Sequence, residues 1–495
     1  MHRKLPIFYS ALLLTGVNLP LRLVSTSFQV HISARLGAEG VGLLQLVMSV
    51  GGLSMTAAMA GIRTTAMYLT AEELGKSRPG NVRWVLLGCF GYSLICSITL
   101  SVFLYAAAPW LAENWIGTPQ TIPAIRLFSL FLPVVCLSGC MTGYFTAANK
   151  IGTLAAVEIA EQLCYMTVTM SLLSFWAEHD PGKACASVVL GSGISAFLTL
   201  LCLLFLRHRE KQPAGARIPV ARRLLGTAVP LALADDLKAG ISTGENLMVP
   251  KRLALHSAEE NPLAAFGTVC GMVFPVLMFP AAILFSLAEL LIPELARCSA
   301  AGSRNRIAYL AKRSLKISLL YACLCGGILF LIAGPLCRKL YQNDTAGRYL
   351  GLYSLFIPML YCDAIVDAMN KGLGQQKICV RFNILTAVMD LAGLYLLLPK
   401  YGMDGYFISF LVSHLVNFLL SLGLLLKTAH VRIPFYIPAL TCASAMAGCL
   451  GAAFLTASLP RLVAFAGIYG SLLVLFRVVS MEDFRWAKGL VFNEK

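Results

Sequence analysis

Apolar runs of about twenty or more residues follow one another along almost the whole chain, separated only by short polar loops. A helix rises 1.5 Å per residue, so about twenty apolar residues cross a hydrocarbon core of roughly 30 Å. No water reaches unpaired backbone groups in that core, so only helices or closed barrels cross it. The alternating short strands of a membrane barrel do not occur in the pattern. With 58% hydrophobic and 13% charged residues and a mean hydropathy of +0.75, the chain in water would expose large apolar patches. The expected fold class is an all-α polytopic membrane protein. The runs predict about fourteen transmembrane helices, near 5–33, 43–70, 84–111, 122–147, 154–177, 186–206, 224–250, 264–296, 315–335, 349–372, 380–399, 405–426, 435–456 and 461–480. The first run is too long for a signal-peptide core and is read as helix 1.

The formal charge of +16 invites a nucleic-acid reading, but its distribution opposes one. Lys and Arg sit in short loops between spans, where they set orientation. Placing the N-terminus inside puts most of the loop Lys and Arg on the cytoplasmic side, and an even number of spans puts the C-terminus there too. The richest such loops are 207-RHREKQPAGARIPVARR-223 and 297-RCSAAGSRNRIAYLAKRSLK-316. Topology accounts for most of that charge, and contact with anionic membrane lipids is expected besides.

Sixteen cysteines are scattered through the spans without paired spacing. Cys136 and Cys140 share a helix face, but no His or third Cys accompanies them, so no metal is expected. No G-x-x-x-x-G-K-[ST] loop is present, and no loop is long enough for a catalytic domain. Neither an enzyme nor a cofactor is expected.

The chain repeats itself. The segment 127-LFSLFLP-133 matches 352-LYSLFIP-358, and polar helix ends follow in 143-GYFTAANK-150 and 370-NKGLGQQK-377. A looser pair is 66-AMYLTAEEL-74 with 290-LLIPELARC-298. Similar offsets in chain order imply duplication. Six spans is an even number, so both copies cross in the same sense, as parallel lobes. The expected organisation is an N-terminal lobe over 1–206 (helices 1–6), a basic cytoplasmic linker over 207–223 and a C-terminal lobe over 224–427 (helices 7–12). Two extra helices and a cytoplasmic tail occupy 428–495.

Charges inside spans mark the candidate site, because one near the bilayer centre costs roughly 2.5–3.5 kcal/mol on insertion scales. Helix 7 carries Asp235, Asp236, Lys238 and Glu245, and Asp235, Lys238, Ser242 and Glu245 fall along one broad face. Arg22 follows a Gly16–Pro20 interruption of helix 1, and Arg63 lies in helix 2. Arg22, Arg63 and Lys238 together suit a cationic cavity for a phosphate-bearing solute, with Asp235, Asp236 and Glu245 limiting the excess charge. Internal ion pairing is the other reading. Asp363 and Asp367, four apart in helix 10, and Glu289 in helix 8 are candidates for coupling to a cation, H+ or Na+. Charge compensation of neighbouring basic residues is the alternative there.

The segment 34-ARLGAEGVGLLQLVMSVGGLSMTAAMAGIRTTAMYLTAEE-73 resembles the opening of the multidrug/oligosaccharidyl-lipid/polysaccharide flippase superfamily. It is most similar to the branch containing stage V sporulation protein B and polysaccharide exporters. Arg35, Gly37, Glu39, Gly40 and Gly42, then Gly61, Ile62 and Ala66, carry the likeness, and 226-GTAVPLALAD-235 and 291-LIPELA-296 add to it. The resemblance implies two six-helix lobes of the kind found in multidrug exporters of this superfamily, working by alternating access in a bacterial cytoplasmic membrane. It implies an undecaprenyl-pyrophosphate-linked saccharide, such as a peptidoglycan precursor, as substrate. In related lipid II flippases, arginines of helices 1, 2 and 8 line the cavity. Arg22 and Arg63 match in part, whereas helix 8 offers Glu289 and no central arginine. A cation-coupled multidrug exporter of the same fold, and a non-transporting scaffold or polymerase subunit, are the rival readings.

Overall fold

The computed structural model describes residues 7–59, 61–76, 78–148, 150–176, 180–209, 220–256, 261–431, 434, 436–455 and 457–479. Most of the expected linker and the C-terminal tail lie outside them. Among the described residues there is no strand. The α-helices run α1 (Ile7–Met59), α2 (Ile62–Gly75), α3 (Val82–Trp110), α4 (Ile122–Ala147), α5 (Ile151–Phe175), α6 (Pro181–His208), α7 (Ala221–Leu253) and α8 (Pro262–Gly267). They continue with α9 (Phe274–Met278), α10 (Ala282–Ala300), α11 (Arg304–Tyr341), α12 (Asp344–Ser354), α13 (Ile357–Gly372), α14 (Gln376–Thr428), α15 (Tyr436–Ala453) and α16 (Ser458–Leu475).

Eight helices among the described residues are long and apolar enough to cross a membrane, or ten if each of two bent pairs is one span. The chain is a multi-pass membrane protein. The expected count of fourteen is not reached on these criteria, for two physical reasons. Glu158 and Glu161 dilute the hydropathy of α5, and eight charged residues, four of them between Asp235 and Glu245, do the same in α7. In addition, expected spans merge. α1 runs through Gly37 (φ 69°, ψ 177°) and α14 through Gly402 (φ 57°, ψ −137°), conformations open essentially to glycine alone.

The expected spans 264–296 and 349–372 are each broken. Their halves meet at 67° and 57° respectively. Proline explains the first break, which falls between Met278 and Ala282: Pro280 has no N–H for the carbonyl of Val276. One turn earlier Pro275 has none for the carbonyl of Gly271, and Ser33 Oγ donates to that oxygen (3.1 Å). Nearby carbonyls are met by tyrosines, Tyr341 on Met272 (3.1 Å), Tyr361 on Leu277 (2.6 Å) and Tyr321 on Pro280 (2.9 Å). A broken helix persists in hydrocarbon only when its freed backbone is satisfied in this way.

By contact the chain forms two compact units, one of Met1–Gly37 with Thr268–Lys495 and the other of Ala38–Gly267. These boundaries differ from the repeat halves read in the sequence. The segment before Gly37 packs with the C-terminal elements, and α7 packs with α2–α6. In the Ala38–Gly267 unit, Ile62, Leu69, Val85, Met141, Phe145, Leu203 and Leu224 form the centre of a core drawn from α2 to α7. In the other unit, α11, α15 and α16 share a core around Cys323, Phe465 and Tyr469.

Candidate functional site

The site begins with a break in the chain. α1 ends at Met59, α2 starts at Ile62, and Gly61 caps it with φ 68° and no side-chain capping bond. The expected helix over 43–70 is therefore two helices. Arg63 stands in the first turn of α2. Helix first turns carry unpaired N–H groups and the positive end of the macrodipole.

That turn faces α7 across a cavity of about 450 Å³, within the Ala38–Gly267 unit. Gly61, Arg63 and Thr64 line it from α2, and Asp235, Lys238 and Ser242 line it from α7. The last three follow the i, i+3, i+7 stripe read from the sequence. Glu245, one turn further, is half-buried and outside the lining, as is Asp236. The lining thus has two cations and one carboxylate. Among the described residues neither Arg63 nor Lys238 has an ion-pair partner.

α7 is fastened at two places. Near its start, Arg223 donates to Glu72 (2.7 Å) and Glu73 (2.8 Å), and Asn81 also donates to Glu73 (3.0 Å). The Glu73 side chain is only 3% exposed, so this charge is matched where water cannot help. Beyond the cavity, Thr243 Oγ1 donates to the Ser49 carbonyl (3.1 Å) and Asn246 Nδ2 to Ser49 Oγ (3.0 Å). On the far side of α2, a Cβ on Gly143 would lie 2.4 Å from the Arg63 carbonyl oxygen. Only a glycine lets α4 approach that closely, and this contact sets the backbone of Arg63.

The remaining candidates belong to the other unit. Arg22 is exposed, with its guanidinium 5.5 Å from the Phe285 ring centroid. Glu289 is exposed on α10. Asp363 accepts from Asn417 (3.3 Å) through one carboxylate oxygen, while the other is buried without a hydrogen-bond partner among the described residues. Asp367 pairs with Lys371 (2.5 Å), and Asn370 donates to the Ser421 carbonyl (2.9 Å). The stripe Asp363–Asp367–Asn370 thus includes two residues turned toward the second half of α14. No group of His, Cys, Asp and Glu suited to a metal ion occurs among the described residues.

No family model matches the sequence. The chain is 19% identical over 501 residues to stage V sporulation protein B of Bacillus subtilis (strain 168), covering 96% of each. Its structure is similar to that of the lipid II flippase MurJ in an inward closed conformation, with a TM-score of 0.71 and 12% identity over 93% of this chain and 99% of that one. An inward-facing multidrug resistance MATE family transporter gives a TM-score of 0.66 and 14% identity over 82% of this chain and 94% of that one. The chain has the fold of the MOP flippase superfamily.

The superfamily motif now has a physical content in this chain. Gly37 holds a conformation that side chains avoid. Glu39 accepts from Asn261 (3.1 Å), and a Cβ on Gly42 would fall 2.2 Å from the Leu263 carbonyl oxygen. Sequence reasoning missed the Arg223–Glu72–Glu73 cluster and the first turn of α2. The available signal was Gly61, which was legible only as part of the motif.

Proposed function

We propose that the protein is an alternating-access flippase or exporter of a lipid-linked saccharide, carried on a pyrophosphate such as undecaprenyl pyrophosphate. One observation carries the reading: the cavity that gathers Arg63, Lys238 and the uncapped first turn of α2 around a single carboxylate, Asp235. Two cations and a helix N-terminus suit a pyrophosphate, and the arginine fork adds directional donors. Broken helices aimed at anionic groups are a recurrent transporter device. The likeness in fold to a lipid II flippase agrees with this choice.

In this reading the protein spans a bacterial cytoplasmic membrane with both termini inside, as the loop basic residues favour. Fourteen crossings follow if the two 53-residue helices are divided at Gly37 and Gly402, the bent pairs count as spans, and α5 and α7 cross as well. A 53-residue helix would be about 80 Å long, far beyond one hydrocarbon core. Residues 1–206 and 224–427 are the two copies of the repeat. Asp363, Asp367 and Glu289 are the candidate sites for a coupling cation, H+ or Na+, and Arg22 is a secondary candidate for binding the substrate. No catalytic step is assigned.

The second reading, a cation-coupled multidrug exporter, draws on the half-satisfied carboxylate of Asp363. Proteoliposomes separate the two. A fluorescent lipid-linked saccharide should cross while a cationic dye does not; dye transport without saccharide movement would overturn the proposal. A scaffold would move neither.

A further inference from the structure

A second groove, of about 410 Å³, lies elsewhere in the Ala38–Gly267 unit, where the start of α3 meets the end of α6. Arg83, one residue into α3, and Arg207 and His208, the last two residues of α6, line its polar end. Leu86, Leu87 and Phe90 of α3 continue the wall along the helix, opposite Leu204 of α6. Among the described residues no carboxylate lines it. Arg207 is half-buried, with its guanidinium 4.2 Å from the Tyr144 ring centroid, so one cation is held in place before any ligand arrives. Arg83 and His208 are exposed. Leu87 is 50% exposed and Leu204 39%, which is a wall suited to an acyl chain and poorly suited to water.

We infer that this groove is a binding site for an anionic phospholipid, with the phosphodiester at Arg83 and Arg207 and an acyl chain along Leu87, Phe90 and Leu204. The reasoning is one of shape and charge together. A soluble anion would use the two arginines and leave the apolar wall empty, whereas a neutral lipid would use the wall and bring no anion to exposed Arg83. A basic end continuous with a membrane-facing apolar wall satisfies both requirements only for an anionic lipid. Both helix ends flank loops that the basic-residue bias places on the cytoplasmic side, where anionic lipid attracts such clusters. The inference does not depend on which solute the other cavity moves.

The test is lipid retention by the purified full-length protein, counted by native mass spectrometry after incubation with phosphatidylglycerol, phosphatidylcholine or inorganic phosphate. Phosphatidylglycerol should be retained in preference to phosphatidylcholine, and excess inorganic phosphate should not displace it. Arg83→Gln should weaken retention about fivefold, the effect expected of one basic residue at an anionic surface. Because Arg83 is exposed, this change leaves the core intact, and His208→Gln provides an independent second variant. Arg348→Gln, which removes an exposed charge from the other unit, should match the parent. Three results would overturn the inference: parental retention in both Arg83→Gln and His208→Gln, equal retention of phosphatidylcholine, or displacement by inorganic phosphate.

Discussion

Lys238 and Arg63 are the residues on which the proposal depends. Each is a cation beside a cavity, and neither is paired within the described residues. A hydrogen bond to a charged partner contributes about 1.5–3 kcal/mol, or roughly tenfold to a hundredfold in affinity. Arg63→Ala and Lys238→Ala should each weaken binding of a lipid-linked saccharide by that amount, as read by titration of the detergent-solubilised protein. Arg63→Lys should recover only part, because an ammonium cannot reproduce the planar fork. Unchanged affinity in both alanine variants would remove these residues from the site.

Arg223 makes a different prediction. Removing it leaves the buried carboxylate of Glu73 with Asn81 alone, which costs about 2–4 kcal/mol for a broken, largely buried pair. Arg223→Ala should lower the thermal unfolding midpoint, while exposed Arg222→Ala should not. The stripe on α7 was legible because a 3.6-residue period places Asp235, Lys238 and Ser242 together whatever the tertiary structure. The Glu72–Arg223 link joins residues about 150 positions apart, and no local rule reports such a pairing.

At the scale of elements, glycines decide where the site stands. Gly61 takes a left-handed conformation that ends one helix and caps the next, so the first turn of α2 opens onto the cavity. Gly143 permits α4 to touch the Arg63 carbonyl. Gly143→Ala would force α4 and α2 apart, at about 1–3 kcal/mol for overpacking. The expected outcome is a lower unfolding midpoint together with weaker saccharide binding. Gly244→Ala, where an added Cβ meets nothing within 4 Å, should leave both near the parental values.

Apolar runs announced most helices because burial in hydrocarbon needs only length and composition. Polar residues around Gly37 (Arg35, Glu39) and Gly402 (Lys400, Asp404) marked the span ends there, but the φ and ψ that carry a helix through each glycine are not encoded in composition. The bent pair around Pro275 and Pro280 is held by Ser33 and three tyrosines far away in sequence, so its stability, unlike its prolines, was invisible.

For the whole molecule, the basic-residue bias predicts a sidedness that chemistry can check. On a cysteine-depleted background, Arg78→Cys and Ala301→Cys should resist a membrane-impermeant maleimide in intact cells and react once the membrane is opened. Labelling of both in intact cells would reverse the orientation. The contact units divide the chain differently from the expected repeat halves, with the segment before Gly37 in one unit and α7 in the other. Paired segments such as 127–133 and 352–358 carry the expectation of a repeat, whereas the grouping of residues 1–37 with those after Gly267 is a property of packing with no signature in periodicity.

The most direct measurement is the rate at which the reconstituted protein moves a fluorescent lipid-linked saccharide between leaflets, compared with the Arg63→Ala/Lys238→Ala double variant at matched protein levels. The cationic-cavity account predicts rapid movement by the parent and a loss of tenfold or more in the variant. Equal rates in the two proteins would contradict it.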